Sequence, residues 1–493
     1  MCPDILYNGI GNLLKSEDEM KKIQFNLCCL ALLTICLSAC HLPIQAENEV
    51  DALEPPVVGI EQPIEIPSTE DEQELEIKTE IGTGEVPPGA LPPGALTYLG
   101  AFRLPDDSGG MGWEYSGQGM TYYPDGDPQG AADGFPGSLY VIGHDLQPYV
   151  AEISIPAPVD SRNLEDLNIA QTLQPFADIT GGFLTEDLEI PYIGIEYLPA
   201  QAGQEEGKLH FAIGEHLQDF APSHGWASLD LTNPESEGLW VFNGYANYVT
   251  NDYLFEIPQD WASNYINNYL LASGRFREGV WGGLGPTLFA YAPWEDGNPP
   301  TPGSRLTAIQ PLLLYGTQIE GVSDLLTDDS MRMDGYAEAD HWWGGAWLTS
   351  DVGNAVVFVG TKTLGKNWYG FANGVVWDYN CADNPEVACP EVPEFPYDSR
   401  GYWAEDYFPA ILFFDPQDLS RVAQGEIATY DPQPYALMDL TAYWFDPEMR
   451  VEIYKRDLVG AAAFDRTNGL LYIIERLADE CKSVIHVFRI GNQ

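Results

Sequence analysis

Basic residues are scarce in this chain of 493 residues, where 22 lysines and arginines stand against 75 aspartates and glutamates and the formal net charge is -53. A surface this acidic repels phosphate backbones, so nucleic acid is excluded as an expected partner. Enzyme signatures are also missing, since the sequence holds no GxSxG elbow, no HExxH pair and no P-loop. Function must therefore be inferred from architecture.

The N-terminal segment carries the clearest motif in the sequence. From Met20 it reads MKKIQFNLCCLALLTICLSAC, in which two lysines precede an apolar run too short to span a bilayer as a helix. This segment resembles the signal peptide of bacterial lipoproteins, with LSAC as the lipobox. The resemblance implies cleavage after residue 39, acylation of Cys40 with groups such as palmitate, and anchoring in a lipid bilayer. Residues 1–19 are interpreted as an over-read start, so residues 1–39 form the signal region.

A lipobox implies a location in the cell envelope, lipid-anchored and extracytoplasmic, which is the outer membrane in a Gram-negative cell. In that oxidising setting Cys381 and Cys389, which flank the turn-forming ADNPEVA, are expected to form a disulfide rather than a metal site. Residues 40–95 are rich in proline and glutamate and hold no aromatic side chain. They predict a disordered, acidic stalk between the anchor and the folded body.

A strand-like phrase recurs five times after the stalk, as GSLYVIGHDL, GKLHFAIGEHL, NNYLLASGRFR, GNAVVFVGTK and NGLLYIIER. Each copy is preceded and followed by another strand-like run, and helical patterns are few. This repetition predicts an all-β, five-bladed β-propeller over residues 96–493, whose last blade is completed by the N-terminal strand LTYLGAFRLP. A sixth blade around residues 235–248 is one alternative, and a β-sandwich or a two-domain all-β protein is another.

Propeller geometry predicts where a site would lie. Because the first two strands of a blade are antiparallel, residues just before the first strand and just after the second share one face of the disc. The ionisable residues at these positions are Glu114, His144, Glu189, His216, Arg275, Asp340, His341, Lys362, Glu475 and Arg476, with Asp145, Arg456 and Asp457 beside them. They predict a mixed-charge funnel for a ligand, or else a set of loop residues that only pair with one another.

The longest insertion, residues 362–408, falls on the same face and is rich in aromatic residues, including Trp368, Trp377 and Trp403. Such rings either form the private core of the loop or serve as an aromatic lid that stacks on sugar rings. The turn PDGDPQGAADG places Asp125, Asp127 and Asp133 close together. A solvated turn is favoured there and calcium is the alternative. No other cofactor is identified.

The chain as a whole resembles propeller-type bacterial lipoproteins, which leaves three functions open. The first hypothesis is a membrane-anchored monomer whose propeller binds a glycan or a protein. The second is a glycoside hydrolase, or another hydrolase, that uses carboxylates in the funnel. The third is a structural envelope protein. The sequence does not decide whether the protein is an enzyme.

Overall fold

The computed structural model describes residues 85–491, except 129, 133, 184–191, 217–219, 277–278, 281, 320–321, 323–324, 385–386 and 446–451. The signal region, Cys40 and the stalk up to residue 84 lie outside the described residues. Within the described part of the chain, no helix is both long and apolar enough to cross a membrane.

The body is a five-bladed β-propeller, as the repeat predicts. The closing strand β1 is Leu96–Arg103, and blade 1 contains β2 to β5, at Met120–Tyr123, Ser138–Ile142, Val150–Ser154 and Thr172–Ala177. Blade 2 contains β6 to β9, at Tyr192–Leu198, Lys208–Gly214, Pro222–Ala227 and Glu237–Phe242. Blade 3 contains β10, β11, β12 and β14, at Tyr253–Glu256, Leu271–Gly274, Leu288–Tyr291 and Ile309–Leu313, while β13, Arg305–Leu306, adds to blade 2 beside β9.

The small hairpin β15 and β16, Thr317–Gln318 and Leu325–Leu326, precedes blade 4. Blade 4 contains β17 to β20, at His341–Ser350, Gly353–Phe371, Arg400–Phe414 and Ala436–Asp439. Blade 5 contains β21 to β23, at Val459–Asp465, Leu470–Asp479 and Lys482–Ile490, and is completed by β1. The helices are short, at α1 Gln259–Tyr265, α2 Asn380–Asp383 and α3 Pro416–Ala423.

The alternative of a sixth blade is wrong. The segment around residues 235–248 supplies β9, which pairs with β8 as the fourth strand of blade 2. Its apolar run LWVF resembles an inner strand because Trp240 and Phe242 are fully buried in the core between blades 2 and 3. Burial on both faces removes the alternation that would have distinguished an outer strand.

The N-terminal strand closes the ring as predicted. β1 runs antiparallel to β23, from Leu96 opposite Ile490 to Arg103 opposite Val484. Side chains reinforce the pairing, because the hydroxyl of Tyr98 lies 3.0 Å from Nδ1 of His486 and Nε of Arg103 donates to Asp479 at 2.9 Å. The first and last strands of the propeller therefore lie in one sheet, and β1 covers the edge that β23 would otherwise expose.

Small residues let the five first strands approach the axis. A Cβ on Gly194 would lie 1.9 Å from the carbonyl oxygen of Asp252 on the next blade, and one on Gly344 would lie 2.7 Å from the amide nitrogen of Ala462. The axial cavity between these strands has a volume of about 10 Å³, enough for about one water molecule. Backbone packing in the described part of the chain therefore leaves little free space between the first strands at the axis.

The folded body begins before β1. Leu91 is fully buried in the core between blades 4 and 5, its amide donates to the carbonyl of Asn354 at 2.9 Å, and its own carbonyl accepts from the Tyr435 hydroxyl at 2.6 Å. Residues 85–95, which the sequence assigned to the stalk, are thus part of the propeller. Their proline content gave no sign of these contacts.

Candidate functional site

The candidate site lies at the end of the propeller where the first strands begin, which we name the upper rim; the opposite end is the lower rim. Its centre is the indole of Trp343 on β17. The guanidinium of Arg476, on β22, lies 4.6 Å from the indole ring centre, and the ring of Tyr192, at the start of β6, lies 5.8 Å away. The indole N–H donates to Nδ1 of His341 at 3.2 Å. Blades 2, 4 and 5 therefore meet at Trp343.

Two carboxylates extend this centre toward solvent. Asp145, just beyond β3 in blade 1, accepts a hydrogen bond from Nη2 of Arg476 at 3.0 Å, and Oδ1 of Asp457 lies 3.5 Å from Nδ1 of His341. The side chains of Asp145 and Asp457 are 25% and 20% exposed, whereas those of Arg476 and His341 are 5% and 7% exposed. We name Asp145, His341, Trp343, Asp457 and Arg476 the upper-rim cluster.

Arg275 completes the ring from blade 3, but below the surface. It is fully buried, its guanidinium lies 3.6 Å from the centre of the Tyr192 ring, and Nη1 donates to the carbonyl of Glu215 at 3.1 Å. A cation held this close to an aromatic face fixes the ring in place. Arg275 therefore positions Tyr192 under the cluster and is not placed to contact a ligand.

Asp340 and Lys362 form a buried ion pair beside the cluster. Nζ of Lys362 donates to Oδ1 of Asp340 at 2.9 Å, and the side chains are 4% and 0% exposed. The same carboxylate accepts from the amide and hydroxyl of Thr363 and from the amide of Ala337. These hydrogen bonds connect the start of β17 to the part of β18 where the strand leaves blade 4 and enters the insertion. Their role is therefore structural.

The expectation that Glu475 lines the funnel is not met. Glu475 is fully buried, where its carboxylate lies 2.8 Å from Nε2 of His486 and accepts from the amide of Phe445 at 2.9 Å. Successive side chains of a strand point to opposite faces. Arg476 therefore faces the rim, whereas Glu475 faces the interior of blade 5.

Three of the remaining funnel candidates lie in the described part of the chain, and His144 directly precedes Asp145 of the cluster. His144 is 22% exposed, with Nδ1 3.4 Å from Oδ1 of Asp145. His216 is half-buried just beyond β7, and Glu114 is exposed and forms an isolated antiparallel β-bridge with Lys482. Glu189 lies outside the described residues.

The insertion forms a two-stranded ribbon in which β18 and β19 continue beyond blade 4, from Lys362 opposite Phe408 to Phe371 opposite Arg400. A disulfide joins Cys381 and Cys389 near its tip, with the Cα atoms 4.9 Å apart. The tip also presents exposed Tyr379 and Phe395.

The three tryptophans assigned to a lid serve the ribbon itself. The indole N–H groups of Trp403 and Trp368 donate to the carbonyls of Gly370 and Phe371, and Trp403 is 3% exposed. The guanidinium of Arg400 lies 4.3 Å from the Trp377 ring centre. The interpretation as a private core therefore fits these rings better than an open lid.

One contact connects the ribbon to the cluster. The guanidinium of Arg456 lies 4.3 Å from the centre of the Trp403 ring, and its Nε lies 3.7 Å from Oδ2 of Asp457. Asp457 in turn approaches His341 in the cluster. The ribbon thus forms one wall of the upper rim.

The turn in which the sequence suggested calcium is only partly described by the structure. No cluster of three or more histidine, cysteine, aspartate or glutamate residues in the described part of the chain is arranged to hold a metal ion. Asp125 and Asp127 lie in the turn before β3, and Asp133 is outside the described residues. The calcium alternative therefore stays a prediction.

Sequence reasoning missed two aromatic components of the site, Tyr192 and Tyr115. Tyr192 occupies the start of a first strand, as His341 does, and the ring of Tyr115 lies 5.4 Å from that of His144. The positional rule that selected ionisable residues would have found Tyr192 had it included aromatic side chains. Comparison with models of known protein families finds no match, and a search of curated proteins finds no related sequence.

Proposed function

We propose that this protein is a lipid-anchored envelope protein whose upper rim binds a hydroxyl-rich ligand, namely a glycan. The observation that supports the proposal is the upper-rim cluster, in which blades 1, 4 and 5 bring two part-exposed carboxylates, an imidazole, a guanidinium and an indole together. A site that draws side chains from several blades is what a ligand on the axis of a propeller would require.

The chemistry of the cluster suits sugars. Carboxylates accept hydrogen bonds from hydroxyl groups, a guanidinium donates them, and a neutral imidazole can do either. The opposite charges of Asp145 and Arg476 are already paired at 3.0 Å. A neutral, polyhydroxylated ligand therefore fits this site better than a strongly charged one.

The lipid anchor is a separate part of the proposal, and the lipobox LSAC, which ends at Cys40, supports it. Substituting Cys40→Ser should release the protein from the membrane fraction, and membrane retention of a processed form of this variant would contradict the anchor.

The hydrolase alternative loses two of its expected carboxylates, because Asp340 and Glu475 are buried and hydrogen-bonded inside the protein. The alternative of a structural envelope protein predicts no ligand at the rim. The binding experiment distinguishes these alternatives. A hydrolase would turn over the bound glycan, whereas a structural envelope protein would bind none.

The test is a glycan-array screen of the soluble chain from residue 41, followed by calorimetry on any hit. Asp145→Asn and Asp457→Asn should each weaken binding at least about tenfold, which is about 1.4 kcal/mol. Asp351→Asn, an exposed aspartate of the lower turn between β17 and β18, is the matched control and should bind like the parent. No binding by the parent, or equal loss in the control, would contradict the proposal.

A further inference from the structure

The lower rim contains a second set of polar side chains that connects all five blades. It consists of Thr121, Glu196, Glu256, Thr349 and Arg466, which lie within the five first strands, at their lower ends or just beyond them. We name this set the lower belt. The funnel derived from the sequence did not include it, because that funnel used only the opposite ends of these strands.

Glu196 connects blades 1, 2 and 3 through neutral donors. The hydroxyl of Thr121 donates to Oε2 of Glu196 at 2.8 Å, and the amide of Glu256 donates to Oε1 at 3.1 Å. The Thr121 hydroxyl also accepts from the amide of Tyr197 at 2.9 Å. Glu196 thus has hydrogen-bond partners on both sides, and neither of these partners carries a positive charge. When the carboxyl is protonated, its own O–H donates to the Thr121 hydroxyl, since a hydroxyl can act as donor or acceptor.

Arg466 connects blades 3, 4 and 5 and is committed to other acceptors. Its Nε and Nη2 donate to Oε2 of Glu256 at 3.2 and 3.1 Å. Its Nη1 donates to the carbonyl of Trp347 at 3.0 Å and to the hydroxyl of Thr349 at 2.9 Å. Arg466 therefore already forms an ion pair with Glu256, and none of its hydrogen bonds described here goes to Glu196.

We propose that the lower belt is a proton-dependent clasp, which holds the blades together while the Glu196 carboxyl carries a proton and weakens when that group ionises. Ionisation would place a second negative charge beside Glu256 at the position where the first strands of three blades meet. Two neighbouring carboxylates repel each other, and the low polarity around a half-buried group increases this repulsion.

The electrostatic environment agrees with this geometry. Burial, and to a smaller extent the charge of Glu256, raises the pKa of Glu196 to about 8, although the Thr121 hydroxyl, the Glu256 amide and Arg466 oppose the rise. His210 lies opposite Glu196 on β7 but cannot supply a positive charge, because burial lowers its pKa to about 3. Burial, and to a smaller extent the charge of Glu196, raises the pKa of Tyr291 of blade 3, so this phenol stays neutral.

The direction of the pH effect follows from linkage. A carboxyl whose pKa rises from 4.5 to about 8 on folding stabilises the folded state fully only below the lower value. That stabilisation is lost as the pH rises through about 8. Replacing Glu196 by glutamine keeps the hydrogen-bonding shape and removes the ionisation, so the benefit of the variant should grow with pH.

The experiment compares thermal unfolding of the full chain and the Glu196→Gln variant between about pH 5 and about pH 9. We expect similar midpoints near the acidic end, and a variant that is more stable by several degrees near the alkaline end. Glu205→Gln, at an exposed glutamate of the lower turn between β6 and β7, measures the effect of removing one surface charge and is subtracted. A difference that does not change with pH after this subtraction would overturn the proposal.

A second measurement protects the test against a variant that unfolds for other reasons. Infrared difference spectra of the parent minus Glu196→Gln near neutral pH should contain the carbonyl stretch of a protonated carboxyl, and this band should disappear at alkaline pH. If the difference spectrum at neutral pH contains a carboxylate stretch and no band of a protonated carboxyl, Glu196 is already ionised and the clasp is rejected.

Discussion

The two ends of the central axis are built from the same five strands but use their polar side chains differently. At the lower rim, Glu196 and Arg466 donate to or accept from the neighbouring blades, and these bonds connect all five blades. At the upper rim, Asp145 and Asp457 keep a quarter and a fifth of their surface exposed beside a nearly buried imidazole and guanidinium. The comparison indicates that the lower end maintains closure, whereas the upper end keeps groups accessible.

The connections between strands explain part of this difference. In blade 4 the lower turn between β17 and β18 contains only two residues, whereas the upper connection between β18 and β19 extends the strands into the ribbon. Long loops on a rigid scaffold can change without disturbing the core, so binding residues concentrate there. The upper rim has this freedom and the lower turn of blade 4 does not.

The largest effect is expected from breaking the ion pair that supports the upper rim. Lys362→Met leaves Asp340 charged and fully buried, so the free energy of unfolding should fall by about 3–5 kcal/mol. Chemical denaturation measures this loss. Lys366→Met, at an exposed lysine of the ribbon, is the control and should change stability by less than about 0.5 kcal/mol. Equal behaviour of the two variants would show that the pair contributes nothing to the rim.

A smaller effect is expected at the other end. Arg466→Met removes the hydrogen bonds to Glu256, Trp347 and Thr349, but its side chain is 29% exposed, so water replaces part of what is lost. We expect a loss of about 1–3 kcal/mol with no change in glycan affinity, because the upper-rim cluster lies at the opposite end of the strands. Arg421→Met, at a half-exposed arginine of α3, serves as the control. Impaired binding in Arg466→Met would show that the two ends are coupled.

The sequence was sufficient to predict the blades and their closure, because small residues, short apolar runs and turns recur in every blade. It was less informative about individual side chains. Glu475 and Arg476 are adjacent in the chain but point to opposite sides of β22, and a shift of one position decides which of them reaches the rim.

The lower belt was harder to anticipate for a different reason. Glu196 lies near the end of a mostly buried apolar strand and Glu256 ends another, so in the sequence they resemble ordinary polar strand ends. Their role depends on contacts between blades, such as the hydrogen bond from the Glu256 amide to Glu196, which joins residues 60 positions apart in the chain. Such contacts leave no local pattern, whereas the closing strand was predictable because an unpaired edge requires a partner.

The smallest effect on stability is expected from the substitution that should matter most for function. Asp457 is 20% exposed and lies 3.5 and 3.7 Å from His341 and Arg456, so Asp457→Asn should change the free energy of unfolding by less than about 0.5 kcal/mol. Asparagine keeps one acceptor oxygen but loses the charge that attracts hydroxyl donors, and glycan binding should therefore weaken while denaturation stays the same. A stability loss as large as that of Arg466→Met would mean that the upper cluster, like the lower belt, holds the blades together. The distinction between an accessible end and a closing end would then be wrong.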